Sequence, residues 1–170
     1  MHLSLGEVYT RAFTMLILNN LDKLNFCKGL SLDYQRRLFA LGEIKTYQAG
    51  DLLFFEGQRS TVIYLLADGQ VALEIAIPGQ EPMSLQVVEA GELLGWSPLL
   101  GLGVMSATAR ALTPCHVLAM DVNRILTLVD EDPKFALEFM RRVAITLARR
   151  LNATRRQLLE VNQNTTQVVS

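Results

Sequence analysis

Hydrophobic and polar residues follow a helical period at the two ends of the chain and a strand-like period in between. Near the N-terminus, apolar residues recur three and four positions apart, which is typical of one face of an amphipathic helix. They are Leu5, Val8, Tyr9, Ala12, Phe13, Leu16 and Ile17. A second, shorter helix is predicted after Ser31, whose hydroxyl is suited to cap it, with Gly42 as its stop.

The period changes at residue 43, where short runs rich in Val, Ile, Tyr and Phe begin. Turn residues separate these runs, and Asp68-Gly69 between two apolar runs is a strong hairpin signal. The runs are EIKTYQ, DLLFFE, TVIYLLAD, QVALEIAI, MSLQVVE, SATARAL and HVLAM. At least seven short strands with regular turns predict a closed or sandwich-like antiparallel core over residues 43–120.

Beyond residue 120 the helical period returns. Asp121 is suited to cap a short helix, and Asp132 followed by Pro133 is typical of a second helix start. No Pro or Gly follows Pro133, so this last helix is predicted to be long and to reach Val161. The sequence thus predicts a single α+β domain over 1–170, with N-terminal helices (1–42), the antiparallel core (43–120), C-terminal helices (121–162) and a fraying tail (163–170).

The last helix carries two apolar stripes. One follows heptad spacing at Leu137, Met140, Ala144, Leu147, Leu151, Thr154, Leu158 and Val161, as an a/d seam does. The other consists of Phe135, Ala136, Phe139, Val143 and Ala148. Two stripes favour one face against the core and one against a second copy of the chain. A parallel homodimer is therefore predicted, with an interface of Met140, Ala144, Leu147, Leu151 and Leu158. The alternative is that both stripes pack within one chain.

Composition and charge narrow the function classes. Half of the 170 residues are apolar and 19% are charged, which excludes a disordered chain. The net charge is −1, so no overall field attracts nucleic acid or an anionic membrane. Residues 133–161 alone carry seven basic and two acidic side chains. The basic side chains of this helix could contact the phosphates of a nucleic acid, or its arginines could flank the apolar seam and reach acidic groups on the core. The second interpretation is favoured because no aromatic residues interleave, so direct DNA binding is not expected.

The candidate chemistry is sparse. Cys27 and Cys115 lie far apart in sequence and form no CxxC pair, and no metal-spaced cluster of His, Cys, Asp and Glu occurs. We therefore predict no catalytic residues, no metal site and no enzymatic activity. The N-terminus lacks the features of a secretory signal, and the longest uncharged run is broken by Gly and Pro. We expect a cytoplasmic protein without membrane contact.

Four glycine-centred landmarks carry a resemblance to a known family. They are YQAGDLLFFEG (47–57), YLLADGQV (64–71), AGELLGWSPLL (90–100) and SATARAL leading to VLAMD. Together with the long helix, they resemble the cyclic-nucleotide-binding domain of the catabolite-activator and protein-kinase-regulatory type. The resemblance implies a jelly-roll-like β-roll flanked by helices, a regulatory role in signal transduction, and the long helix as dimer seam. Transcription regulators of this type continue into a helix-turn-helix domain; since this chain stops soon after Val161, we expect a stand-alone module.

The resemblance also implies a ligand site in the segment that begins at Gly95. The family has Gly-Glu there, with the Glu on the ribose, and an Arg nine residues later on the phosphate. Here Trp96 stands at the Glu position and Met105 at the Arg position, while Ser106 matches a phosphate-binding hydroxyl. Thr154 matches a base-reading Thr on the long helix. The predicted ligand-binding residues are Gly95, Trp96, Ser97, Met105, Ser106 and Thr154.

These replacements change the expected ligand. No Arg or Lys lies between Arg59 and Arg110, so a substitute cation must come from elsewhere in the chain. Losing both charged contacts costs about two to four decades in affinity. We therefore predict no tight binding of cyclic AMP or cyclic GMP, and leave a weakly bound cyclic nucleotide or another small anionic ligand as the expected occupant. The alternative is a ligand-free dimeric scaffold that binds a protein partner.

Trp96 and Thr154 each have two possible interpretations, and Ser97 carries a prediction about local structure. Trp96 either closes the mouth of a pocket and stacks on a planar ligand, or fills a disused pocket. Thr154 either contacts the ligand or sets the register of the helix pair. Ser97 is predicted to cap the inserted turn, with Pro98 at its first helical position.

Overall fold

The computed structural model describes residues 14, 15, 17 and 23–167, with the side chains of 158 and 160–167 left outside the description. Most of the N-terminal stripe predicted as a helix therefore lies outside the described residues. Ile17, the one stripe residue inside them, is helical and buried.

The described part of the chain forms an α+β fold. Its helices are α1 (Leu32–Phe39), α2 (Val122–Glu131) and α3 (Pro133–Gln167), and a 3₁₀ turn spans Ser97–Leu100. Its strands are β1 (Gly42–Tyr47), β2 (Leu52–Phe54), β3 (Val62–Asp68), β4 (Gln70–Ile75), β5 (Met83–Glu89), β6 (Leu93–Leu94), β7 (Thr108–Ala111) and β8 (Cys115–Asp121). All seven predicted strands form, and β6 is an additional strand that the sequence did not indicate.

The strands build two antiparallel sheets, in the orders β1-β8-β3-β6 and β2-β7-β4-β5. The predicted antiparallel core is thus confirmed as a roll of two facing sheets.

Strand β3 is a continuous apolar run because its side chains are buried on both faces of the sheet. Tyr64 and Leu66 point into the space between the sheets, here called the roll interior. Ile63 and Leu65 point the other way, into a second cluster beneath the helices, here called the helix-facing core.

Each helix start matches its predicted cap. The Ser31 hydroxyl accepts a hydrogen bond from the Tyr34 amide at 3.3 Å, and an Asp121 carboxylate oxygen accepts from the Asn123 amide at 2.9 Å. Asp132 accepts from the Phe135 amide at 3.0 Å. That amide, followed by the Arg37 guanidinium, lowers the pKa of Asp132. Side-chain capping therefore fixes where α1, α2 and α3 begin.

Two predicted helix ends differ from the structure. Helix α1 ends at Phe39, and Gly42 already belongs to β1, so Gly42 is not its stop. A Cβ at Gly42 would lie 2.4 Å from the Ala119 carbonyl oxygen, so the glycine is needed where β1 approaches β8. Helix α3 continues to Gln167, beyond the predicted end at Val161, because no residue there breaks it.

Helix α3 presents its two stripes to different surroundings. In the stripe predicted to face the core, Phe135, Phe139 and Val143 are buried in the helix-facing core and Ala136 is half-buried, whereas Ala148 is exposed. In the heptad stripe, Met140, Ala144 and Leu151 are exposed, whereas Leu147 is half-buried and packs against the helix-facing core. The side chain of Leu158 lies outside the description. Within the described residues, no helix is long and apolar enough to cross a membrane.

Candidate ligand site

A cavity of about 170 Å³ lies where the connection between β6 and β7 meets the middle of α3. It is called the Trp96 cavity below. All six residues predicted from the sequence as ligand-binding line it: Gly95, Trp96, Ser97, Met105, Ser106 and Thr154. The fold therefore brings residues from one turn, one loop and a distant helix to a single place.

Gly95 fixes the geometry of this turn. Its φ is +69°, a backbone conformation that residues with a side chain rarely adopt. A Cβ there would lie 3.1 Å from a ring carbon of Phe54, 3.2 Å from one of Tyr64 and 3.3 Å from the Met105 methyl. Because Gly95 has no Cβ, the chain can turn from β6 into the cavity wall without displacing the side chains of the roll interior.

The two serines form the buried polar part of the wall. The Ser97 and Ser106 hydroxyls lie 3.3 Å apart, within hydrogen-bonding distance, and Ser97 is buried. The prediction that Ser97 caps the inserted turn is wrong. Trp96 occupies the cap position without a side-chain hydrogen bond, and Ser97 is the first residue of the 3₁₀ turn. Because a buried hydroxyl needs a partner, Ser97 bonds Ser106 instead.

Met105 and Trp96 differ in how deeply they are buried. Met105 is 1% exposed and packs in the roll interior, where its backbone bonds to Gly57 and Gln58. Trp96 is half-buried and belongs to neither core cluster. Met105 thus forms the floor of the cavity, and Trp96 lies at its side with part of the indole in solvent.

The cation nearest to this site comes from α3. Arg150 lines the Trp96 cavity and donates a hydrogen bond from its guanidinium to the carbonyl oxygen of Leu93 in β6. Arg110, by contrast, pairs with Glu74 at 3.2 Å and does not line the cavity. The sequence required any cation to come from outside the Arg59–Arg110 interval, and α3 supplies one.

The charge of Arg150 has little compensation. Burial lowers the pKa of Arg150, and the Glu92 carboxylate opposes this shift in part. Among the residues that the structure describes, no carboxylate forms an ion pair with Arg150 and no acidic side chain lines the Trp96 cavity. The cavity wall therefore carries one positive charge and several neutral hydrogen-bonding groups.

Sequence reasoning did not single out Arg150, although one signal pointed to it. Arg150 precedes Thr154 by four positions on a helix, so the two side chains share a face. Since Thr154 was assigned to the site, the same face could have been searched for a cation. Gln86 of β5 and Leu73 of β4 also line the cavity, and no local motif marks either residue.

A second cleft, of about 480 Å³, lies on the other side of the turn before β6 and is called the Lys28 cleft. Its charged lining consists of Lys28, Glu92, Glu138, Arg141, Arg142 and Arg149. Arg142 donates to the Glu138 carboxylate at 2.6 Å and to the Lys28 carbonyl at 3.1 Å. The Arg142 hydrogen bond lowers the pKa of Glu138. Arg142 is therefore paired with a carboxylate, unlike Arg150, whereas none of the described ion pairs involves Lys28, Arg141 or Arg149.

Comparisons with known proteins agree with this fold. The family model described as "Cyclic nucleotide-binding domain" matches residues 44–132. The Cyclic AMP receptor protein of Thermus thermophilus is 34% identical over 123 residues, which are 72% of this chain and 51% of that protein. The cAMP-activated global transcriptional regulator of Pasteurella multocida is 26% identical over 116 residues, which are 68% of this chain and 54% of that protein. The chain thus spans about half the length of the curated relatives it matches.

Solved structures give the same result. The Catabolite Activator Protein of Thermus thermophilus superposes with a TM-score of 0.66 at 27% identity, over 83% of this chain and 63% of that one. A cyclic nucleotide-binding domain from Methylobacillus flagellatus gives a TM-score of 0.74 at 19% identity, over 88% of this chain and 84% of that one. The second likeness concerns the fold alone.

Proposed function

The chain belongs to the cyclic nucleotide-binding domain family, and from this premise we propose that it is a regulatory domain that binds a small ligand in the Trp96 cavity and transmits the binding to α3. The proposal includes no catalytic step. It assigns ligand contacts to the turn at Gly95 and Ser97, to Ser106, and to Arg150 and Thr154 of α3.

One observation carries the proposal. Arg150 belongs to α3 but lies in the wall of the cavity, where its hydrogen bond to the Leu93 carbonyl joins the helix to β6. A ligand anion that accepts hydrogen bonds from the other donors of Arg150 draws the guanidinium toward itself, because a charged acceptor forms the stronger bond, and so weakens the bond to that carbonyl. Occupancy of the cavity therefore changes the contact that positions the C-terminal half of α3.

The exposed stripe of α3 supports a homodimer as the receiver of this change. Leu137, Met140 and Leu151 are 69%, 38% and 62% exposed, at positions that follow heptad spacing. Large apolar side chains repeated along one helix face are the pattern of a coiled-coil seam. We assign the interface to a second copy of α3, through Met140, Ala144 and Leu151, with Leu147 at its edge against the core.

The site is not matched to a cyclic nucleotide in the family's usual mode. Arg150 supplies a cation, but no described carboxylate lines the cavity to accept the ribose hydroxyl. That missing acceptor alone costs about 1.5–3 kcal/mol, or one to two decades in affinity. We expect neither cyclic AMP nor cyclic GMP to bind with submicromolar affinity, as calorimetry measures.

A thermal-shift screen with matched variants tests the ligand site. The probes are cyclic AMP, cyclic GMP, inorganic phosphate and small carboxylates, and a probe at a hundred times its Kd adds about 2.7 kcal/mol of stability. Arg150→Met removes the cavity cation, while Arg149→Met makes the same change at an exposed neighbour. We expect at least one probe to stabilise the wild type and Arg149→Met but not Arg150→Met. A screen without any hit would contradict the proposal.

The second candidate is a ligand-free dimeric scaffold. It is favoured by the small cavity and by the existing Arg150 contact with Leu93, which already gives the guanidinium a hydrogen-bond acceptor within the chain. A dimer that responds to none of the probes would support this candidate in place of the first.

A further inference from the structure

The volume of the Trp96 cavity sets how much of a ligand it can enclose. At about 170 Å³, it is far smaller than the 300–1,000 Å³ that is usual for cofactor and drug-sized ligands. An engineered apolar cavity of about 150 Å³ in another protein binds one benzene molecule. The enclosed part of the Trp96 cavity is therefore matched to a single ring or a chain of similar size, and any larger ligand would extend through its open side into solvent.

The apolar wall sets the character of most of the ligand. Phe54, Leu73 and Ala107 line the cavity from the roll, and Met105 closes its floor. Trp96 adds an indole that can stack on a flat group. A ligand body that consists of hydrocarbon buries its surface here without leaving polar groups unpaired.

The polar groups set the charge of the ligand. Arg150 uses its guanidinium for one hydrogen bond to Leu93, although a guanidinium has five donors. The Ser97 and Ser106 hydroxyls and Thr154 line the same cavity. Because no described acidic side chain lines it, one cation remains to be neutralised. A single carboxylate matches that charge and the parallel hydrogen bonds that a guanidinium offers.

From this combination we infer that the natural ligand of the Trp96 cavity is a small monocarboxylate with a compact apolar body, of which an aromatic carboxylate is the simplest example. The inference rests on the proposed function, since it names the ligand class of the same site. The carboxylate pairs with Arg150 and the serine hydroxyls, and the apolar body lies between Trp96 and Met105.

Titrations of the full chain with four probes test the ligand class. Benzoate represents it, benzamide has a similar shape without the charge, and inorganic phosphate and cyclic AMP represent the competing anions. Trp96 is the one tryptophan in the sequence, so its emission reports on the cavity, with calorimetry as a second measurement. We expect benzoate to bind at least about tenfold more tightly than benzamide, since the charge-assisted pair is lost in the amide.

Variants assign the preference to Arg150. Arg150→Met should abolish the difference between benzoate and benzamide, and Arg149→Met should preserve it. Arg150→Lys is the second variant in case Arg150→Met fails to fold; it keeps the charge but not the planar fork, so an intermediate preference is expected.

The outcomes separate this inference from the proposed function. Tighter binding of cyclic AMP or phosphate than of benzoate would overturn the monocarboxylate class and leave a ligand site in place. Equal binding of benzoate and benzamide, or equal losses in Arg150→Met and Arg149→Met, would also overturn it. If none of the four probes binds and the wider screen is empty as well, the ligand site itself is refuted.

Discussion

The two halves of α3 are held to the body of the domain in different ways. In the first half, Phe135, Phe139 and Val143 are buried in the helix-facing core, and Arg142 is paired with Glu138. The second half presents exposed side chains, including Leu151 and Leu159 at 62% and 61% exposure. Within it, Arg150 is the residue whose hydrogen bond to the roll is described.

Under the proposed function, the difference assigns the response to a ligand to the second half of the helix. Core packing and the Arg142–Glu138 ion pair fasten the first half to the domain. The second half depends on a half-buried guanidinium that bonds a backbone carbonyl and forms no ion pair with a described carboxylate. Such a charge is costly until a counter-ion arrives, so binding energy is available there.

The largest expected effect concerns the exposed stripe. Leu151→Asp places a charge in each copy of the proposed seam, and we expect the dissociation constant of the homodimer to rise about a hundredfold or more. Light scattering across a concentration series measures it. Leu126→Asp makes the same change on the exposed side of α2 and should leave the dimer intact. A wild-type chain that stays at 19.0 kDa at high concentration would refute the dimer.

Removing each arginine in turn compares the two halves directly. Arg142→Met loses the bonds to Glu138 and Lys28, so we expect the free energy of unfolding to fall by about 2 kcal/mol. Arg150→Met loses one bond but also removes a half-buried charge that has no ion pair, and a change of less than about 1 kcal/mol is expected. Urea denaturation measures both. Equal losses would remove the distinction between the halves.

The smallest expected effect is a pH dependence confined to the first half. Arg142 lowers the pKa of Glu138 below its ordinary value of 4.5, so the folded state binds a proton there less readily than the unfolded chain. The resulting stability is present above pH 4.5 and is lost as the pH falls through the lowered pKa. Glu138→Gln should therefore melt below the wild type at pH 7, and the gap should close under acid conditions. Glu131→Gln, at an exposed position, should show no such pH-dependent gap.

Much of the fold could be predicted from local patterns. Asp121 and Asp132 were identified as caps because capping depends on neighbours three residues away or closer. The strands were identified because alternation and turn residues are local as well. Strand β6 was missed because two residues are too few to show a period. Gly42 was misassigned because glycine serves both helix ends and close backbone approaches, and only the distant Ala119 carbonyl decides between them.

In the candidate site too, residues that are close in sequence could be predicted, and a residue brought in from a distant helix could not. The family resemblance implied that Gly95, Ser97 and Ser106 bind the ligand, and they lie within twelve positions of one another. Arg150 is separated from its partner Leu93 by 57 positions, and the contact exists only because α3 folds back across β6. A sequence comparison restricted to residues 95–106 finds Met105 where the family has an Arg, whereas the folded chain places Arg150 of α3 in the same cavity.

The position of strand β6 connects the two hydrophobic cores with Arg150. Leu93 inserts its side chain into the helix-facing core and Leu94 inserts its own into the roll interior, while the Leu93 carbonyl holds Arg150. Since β6 has only two residues, the same short segment of backbone carries both side chains and the carbonyl that binds Arg150. If an anion bound in the Trp96 cavity drew the guanidinium away, β6 would lose its bond to α3 but keep its pairing with β3, and both hydrophobic layers would share the changed contact.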